Sequence, residues 1–205
     1  MNYDTLASPE IVEKTMSALT ERGHLPEVVE TGAQALERIT SLIPAGASVM
    51  NGSSRTLEAI GFVKHLAEGE HGWNNLHDAI LAEKDPAKQM ALRTQSVLSD
   101  VYLGSAHAIT EEGEIIVASN SGSQIPHLAF TSHMLILVVG TQKITPTLSD
   151  AMTRLEQHVF PKEDARMKEV GMGGSSVSKV LIINREQPFM GRKSHIIFVN
   201  ELLGF

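Results

Sequence analysis

The segment Met134–Val139, MLILVV, is the longest uninterrupted apolar run in the chain, and it has the length of a strand. A strand that is apolar at every position has no face to turn toward water. It belongs inside a sheet covered on both sides, as parallel sheets are. Helix-like and strand-like segments alternate on either side of it. The expected class is therefore α/β, with helices packed on a mostly parallel sheet. The 205 residues suit one domain, with residues 1–24 as a helical N-terminal appendage.

Local signals place the other elements. Ser8 caps a first helix with Pro9 at its first position. Ile11, Val12, Thr15, Met16 and Leu19 form its apolar stripe, and Gly23 ends it. A short strand is expected at 27–30, a helix from Gly32 to Ile43, and a strand at 47–50. Asp85-Pro86 opens a helix with Ala87, Met90, Ala91, Thr94, Val97 and Leu98 on one face. Val101–Thr110 and Glu114–Ser119 read as two strands joined by the turn Glu111-Glu112-Gly113. Thr145-Pro146 opens a helix striped by Leu148, Ala151, Met152, Leu155 and Val159. Val180–Ile183 and His195–Asn200 read as late strands.

Composition excludes several classes of function. Lys and Arg total 17 and Asp and Glu 24, a net charge of −7. That balance opposes nucleic-acid binding, which needs a basic face. One Trp, two Tyr and six Phe offer few platforms for stacked bases. The absence of cysteine removes disulfides, zinc–thiolate sites, Cys-ligated iron–sulfur clusters and thiol nucleophiles. No run approaches the length of a membrane span. The start MNYDTLASPE has neither a basic nor an apolar leader region, so a soluble cytoplasmic protein is expected.

Ligands of open α/β sheets bind in loops at the carboxyl ends of strands. Three segments stand at such positions: Gly140–Lys143 and two polar loops. In Asn51-Gly52-Ser53-Ser54-Arg55-Thr56, glycine permits tight geometry, the hydroxyls donate, Arg55 adds a cation, and a helix follows. The pattern suits an anion; it equally describes a strand-to-helix turn with capping serines. It is not a P-loop. Asn120-Ser121-Gly122-Ser123-Gln124 is the second loop, and an ordinary connection reads as well there. If the loops converge, they make a pocket rich in donors. Glu114 begins a strand and is a candidate general acid or base if it points inward, with His107 across the hairpin to tune it. Solvated turn carboxylates and an ordinary histidine are the bland alternatives. No metal site is expected: His71/His77 and His127/His133 are each six apart, and H-E-x-x-H is absent. Gly171–Ser176, GMGGSS, fails the dinucleotide pattern and reads as a connector. No G-x-S-x-G appears, so Ser53, Ser54, Ser121 and Ser123 have no identifiable base.

The runs GSAHAITEEGEIIVASNSGSQIPHLAF, MLILVVGTQKITPTLSDAMTRLEQHVFP and the terminal GRKSHIIFVNELLGF, in this order, resemble the LUD family. That family is named for lactate utilisation and was formerly a domain of unknown function. SVMNGSSRTLEAIG resembles its first Gly/Ser loop, so the resemblance spans roughly residues 10 to 205. It implies a Rossmann-like sheet with a small additional β region, similar to the sugar-isomerase and CoA-transferase-like group, where the first loop often holds an anion. Carried over residue by residue, the candidates are Asn51, Gly52, Ser53, Ser54 and Thr56, with Gly122 and the lysine Lys143. The chain departs from the family at His107 for Asn, at Gly122-Ser123-Gln124 for Gly-Asn-Arg, and at Gln142 for Asn. The cysteine cluster of many members is absent, and no redox cofactor site is recognisable.

The resulting expectation is a LUD-domain protein of organic-acid or sugar-acid metabolism. It binds a small anionic or polyhydroxylated ligand between the two loops, without a cofactor. Acid–base or acyl-type chemistry would use Glu114 as the carboxylate and Lys143 as electrostatic stabiliser. The alternative is a non-catalytic accessory subunit docking on iron–sulfur oxidoreductase subunits. A homodimer is a further expectation, by fold analogy.

Overall fold

The structure is a computed structural model and describes residues 2–205. At its centre is the apolar run, which forms strand β7, Met134–Gly140. Leu135, Leu137 and Val139 face one side and Ile136 and Val138 the other, all fully buried. Each such side chain contributes roughly 1.5–3 kcal/mol of burial free energy before entropy. With both faces committed to cores, the strand has one place in the sheet.

The remaining strands are β1 (Leu25–Val29), β2 (Ser48–Asn51), β3 (Asn74–Asn75), β4 (Val101–Gly104) and β5 (Ala108–Thr110). They continue with β6 (Ile115–Ser119), β8 (Ile144–Thr145), β9 (Lys179–Ile183) and β10 (Lys193–Val199). Six of them make a parallel sheet in the order β1-β10-β7-β4-β2-β3. The other four make a small mixed sheet, β8-β5-β6-β9. The helices are α1 (Pro9–Glu21), α2 (Gly32–Leu42), α3 (Arg55–Ala59), α4 (Phe62–Glu68), α5 (Leu76–Ala82), α6 (Pro86–Gln95), α7 (Leu148–Arg154) and α8 (Phe160–Glu169). The class is the Rossmann-like α/β expected from the sequence. No helix among the described residues is long and apolar enough to cross a membrane.

Caps set the helix starts. Ser8 accepts from the Ile11 N–H, and Thr31 with Gln34 forms a capping box on α2. On one face of the main sheet, Ala35 and Ile39 of α2, Leu57 of α3 and Phe62 of α4 pack on Val49, Leu103, Ile136 and Ile197. On the other, Leu135, Leu137 and Phe198 meet Ile109, Ile115 and Val117 of the small sheet together with Leu19 of α1. The first helix is thus built into the core. The far side of the small sheet, Ala108, Ile116 and Ala118, is covered by Ala151 of α7 and by Leu155 and Val159.

Two sequence expectations change. Val101–Thr110 is two strands in two different sheets, because the chain leaves the main sheet after Gly104 and enters the small one at Ala108. The second change is at α6, whose periodic face buries no residue and leaves Met90 exposed. Its period reports an apolar stripe, and nothing among the described residues buries that stripe.

Candidate functional site

The carboxyl ends of β2, β4 and β7 lie side by side, and the loops leaving them line one cleft of about 470 Å³. Gly52–Thr56 follow β2, Ser105–His107 carry the chain from β4 into the small sheet, and Lys143 stands between β7 and β8. From the small sheet come Ser119, Asn120, Ser121, Ser123 and Gln124, after β6. The wall opposite is Leu155, Val159, Phe160, Glu163 and Arg166. Leu155–Val159 is a π-type turn between α7 and α8, a deviation frequent at functional sites.

Gly52 is required where it stands. A Cβ on it would lie 2.5 Å from Tyr102 Oη and 3.1 Å from Gln124 Oε1. Tyr102 Oη donates to Gln124 Oε1 at 3.2 Å, and Gln124 Nε2 donates to Ala118 O at 2.9 Å. The two polar loops are therefore joined through one tyrosine. Beneath it, His127 stacks on the Tyr102 ring at 4.4 Å. Arg192 donates to the His127, Leu128 and Ser132 carbonyls and pairs with Glu186 at 3.0 Å. This buried guanidinium fixes the backbone segment that follows the second loop.

Lys143 stands at the floor of the cleft. It is 2 % exposed, and its Nζ donates to Thr56 Oγ1 at 2.9 Å and Ser105 Oγ at 3.2 Å. Both partners are neutral hydroxyls; among the described residues no carboxylate reaches it. Desolvation, with the charge of Arg154 as a second cause, pushes its pKa down to about 7. The backbone at Gly204 closes over this group. A Cβ there would meet Thr56 Oγ1 at 2.6 Å and Lys143 Nζ at 3.2 Å.

His107 also lines the cleft. Its Nδ1 accepts the Ala118 N–H at 3.0 Å, which leaves the imidazole proton on Nε2. Burial first, then Lys143 and Arg154, hold its pKa down to about 3, so it is a neutral donor at every working pH. Arg154 is fully buried and donates to the His107 carbonyl.

Most of the residues expected from the sequence meet here: Gly52, Ser53, Ser54, Arg55, Thr56, His107, Asn120, Ser121, Ser123, Gln124 and Lys143. Three do not line the cleft. Asn51 is the buried last residue of β2, and its Nδ2 donates to Gly52 O. Gly122 turns with φ +87° against the Lys179 side chain. Glu114 lies away from the cleft and pairs with Arg22 at 2.9 Å. Burial alone would raise its pKa, but hydrogen bonds from Thr110 and the backbone, and the Arg22 charge, hold it below the ordinary carboxylate value. The inward general acid of the sequence reading is thus a structural carboxylate tying the hairpin to α1.

Other residues reach the cleft with no sequence signal. Arg166 donates to Ser53 Oγ at 3.4 Å while paired with Glu163 at 2.7 Å. Arg93 of α6 lines the same space. These arginines add positive charge to that of Arg55. Ser175 and Ser176 of the expected connector line the cleft too, and Ser176 donates to Asn120 Oδ1 at 2.8 Å. A small polar side chain is their only mark in the sequence. No group of three or more His, Cys, Asp or Glu among the described residues is placed to hold a metal ion.

A profile of the LUD domain matches residues 12–199, nearly the whole chain. The chain belongs to the LUD domain family. A crystal structure of a DUF162 family protein from Deinococcus radiodurans shares the fold at 11% identity, with a TM-score of 0.55. That likeness covers 95% of this LUD-domain chain and 98% of the other. No curated protein matches.

Proposed function

We propose that this LUD-domain protein binds a small anionic, hydroxyl-bearing ligand of the hydroxy-acid or sugar-acid kind in the cleft at the ends of β2, β4 and β7. The observation that carries this reading is Lys143, a buried amine in the cleft, charged in part near neutral pH, whose Nζ has hydroxyl partners and no carboxylate partner among the described residues. Burying a charge costs several kcal/mol unless it is paired. A ligand anion is the partner that would recover that cost.

The surroundings support the choice. Arg55, Arg93 and Arg166 line the cleft, against Glu163 as its one acidic side chain, in a chain of net charge −7. Ser53, Ser105, Ser121, Ser123 and the His107 Nε2–H offer neutral donors to ligand hydroxyls. The helix following the first loop, α3, has five residues, so side chains and not a helix dipole carry the attraction. Any acid–base chemistry falls to Lys143. Near neutral pH it is divided between its two protonation states, which suits proton transfer in either direction.

The test is thermal unfolding against lactate, glycerate, gluconate, sugar phosphates, CoA thioesters and inorganic phosphate. A ligand at 100 times its Kd stabilises by about 2.7 kcal/mol. At least one organic anion is expected to do so, and Lys143→Met, which fills the same space without charge, is expected to abolish the effect. A panel with no stabilising member overturns the reading. It would favour the alternative, an accessory subunit that docks on iron–sulfur partners, to be tested by recovering such a complex from native lysate.

A further inference from the structure

We propose that Lys143 is a carbonyl-trapping nucleophile, whose amine forms an imine with a ligand bearing an aldehyde or ketone beside a carboxylate. The inference rests on the anion-binding reading of the same cleft and narrows its ligand class.

The geometry argues first. A lysine kept as a structural cation is held by carboxylates or backbone carbonyls. Lys143 Nζ is held by neither. Its two partners, Thr56 Oγ1 and Ser105 Oγ, are hydroxyls, and the Thr56 hydroxyl passes its own proton to Leu203 O at 3.4 Å. Such partners position an amine without stabilising its charge strongly. Lys143 also lines the cleft, together with Ser53 and Ser123. Arg93 lines that space as well, where a carboxylate beside the carbonyl would find a counter-charge, and so does Arg166, which is itself paired with Glu163.

The protonation state agrees with this geometry. A free lysine side chain is almost wholly protonated at neutral pH, and only the free amine attacks a carbonyl. With its pKa lowered to about 7 by burial and by Arg154, the free-amine fraction at neutral pH rises by about three orders of magnitude.

The step balances within the site. The Nζ lone pair bonds to the carbonyl carbon, and the carbonyl π electrons move onto oxygen. A proton passes from nitrogen to that oxygen through the Ser105 or Thr56 hydroxyl, giving a carbinolamine. The nitrogen lone pair then expels hydroxide to give an iminium, and the iminium N–H proton passes to that hydroxide, so water leaves and a neutral imine remains. Amine and carbonyl become imine and water, with nothing oxidised or reduced. The His107 Nε2–H, neutral in the cleft, is a donor for the departing oxygen.

The experiment treats the full chain with pyruvate or glyoxylate, adds sodium cyanoborohydride to reduce any imine, and maps the product by mass spectrometry. The expected product with pyruvate is one adduct, equal in mass to pyruvic acid less one oxygen, on Lys143. It should form at least about tenfold faster than on an exposed lysine such as Lys64, since burial frees a large share of the Lys143 amine at neutral pH. Excess lactate, which keeps the carboxylate and lacks the carbonyl, should suppress it, and Lys143→Arg should remove it. The wild-type peptide map decides the matter even if the variant fails to fold. No adduct, or adducts spread over exposed lysines, overturns the inference. Thermal stabilisation by lactate and pyruvate without an adduct leaves the anion site standing and removes only the imine. Neither stabilisation nor adduct removes both.

Discussion

Lys143 sets the chemistry of the cleft, and its protonation should be read directly by any anion without a carbonyl. Such an anion binds the ammonium form, so binding raises the lysine pKa. Affinity is then flat below the free protein's value of about 7. Above it, affinity falls by up to about tenfold per pH unit, until the pKa of the complex is reached. The other groups that face Lys143 do not share this window. His107 is neutral, with its pKa down to about 3, and Arg154 keeps its charge, with a pKa down to about 10. His158 is shifted down from the ordinary histidine value, chiefly by burial. Calorimetric titration with lactate between about pH 6 and 9 should show the fall. A flat profile would reject Lys143 as the partner of the anion. The segment Gly140–Lys143 was legible from its place after a strand and the lysine itself through the family resemblance, while its partner Ser105 was not legible at all. Ser105 lies inside what reads as one strand, and hydrophobic period carries no mark for a chain that changes sheets.

Glu114 shows what periodicity can and cannot give at the level of elements. The hairpin of β5 and β6 around Glu111–Gly113 is plain in the sequence and present in the fold. Which way its first carboxylate points depends on α1, far away in sequence: Arg22 reaches Glu114, the Glu112 carbonyl and the Asn184 carbonyl together. The same limit hid the cleft face of α8. Its residues PKEDARMKE carry no apolar stripe in the sequence, yet Arg166 and Met167 line the site. Burial of β7, by contrast, follows from its composition alone. If Glu114 is structural, Glu114→Gln should lower stability by about 1 kcal/mol, the worth of a partly exposed ion pair with charge-assisted hydrogen bonds. Ligand affinity and imine trapping should not change. Urea unfolding and the cleft ligand assays measure the two effects. A loss of ligand response at unchanged stability would return the carboxylate to the functional site.

On the scale of the whole molecule, folding keeps three desolvated imidazoles neutral. His24 sits beneath α1 with Nδ1 on Ser194 Oγ at 2.9 Å, and burial with Arg192 and Arg22 pushes its pKa down to about 4. His127, stacked on Tyr102 and bonded to the Ser99 and Ser132 hydroxyls, is pushed down to about 4 by burial. His107 at the cleft goes down to about 3. An unfolded histidine titrates near pH 6.5. Between about pH 6.5 and 4 the unfolded chain therefore binds protons that the folded chain refuses, and stability falls with pH across that window. Each imidazole contributes a slope of up to about 1.4 kcal/mol per pH unit, and the slopes add because one cooperative unfolding exposes all three groups. Glu114, with its depressed pKa, adds its own loss only below the carboxylate range. Urea midpoints at about pH 7.5 and 5 should differ clearly, with proton uptake on unfolding approaching one per imidazole in the more acidic buffer. Equal midpoints would mean that these histidines are hydrated in the folded protein, and that the packing around them is looser than their burial indicates.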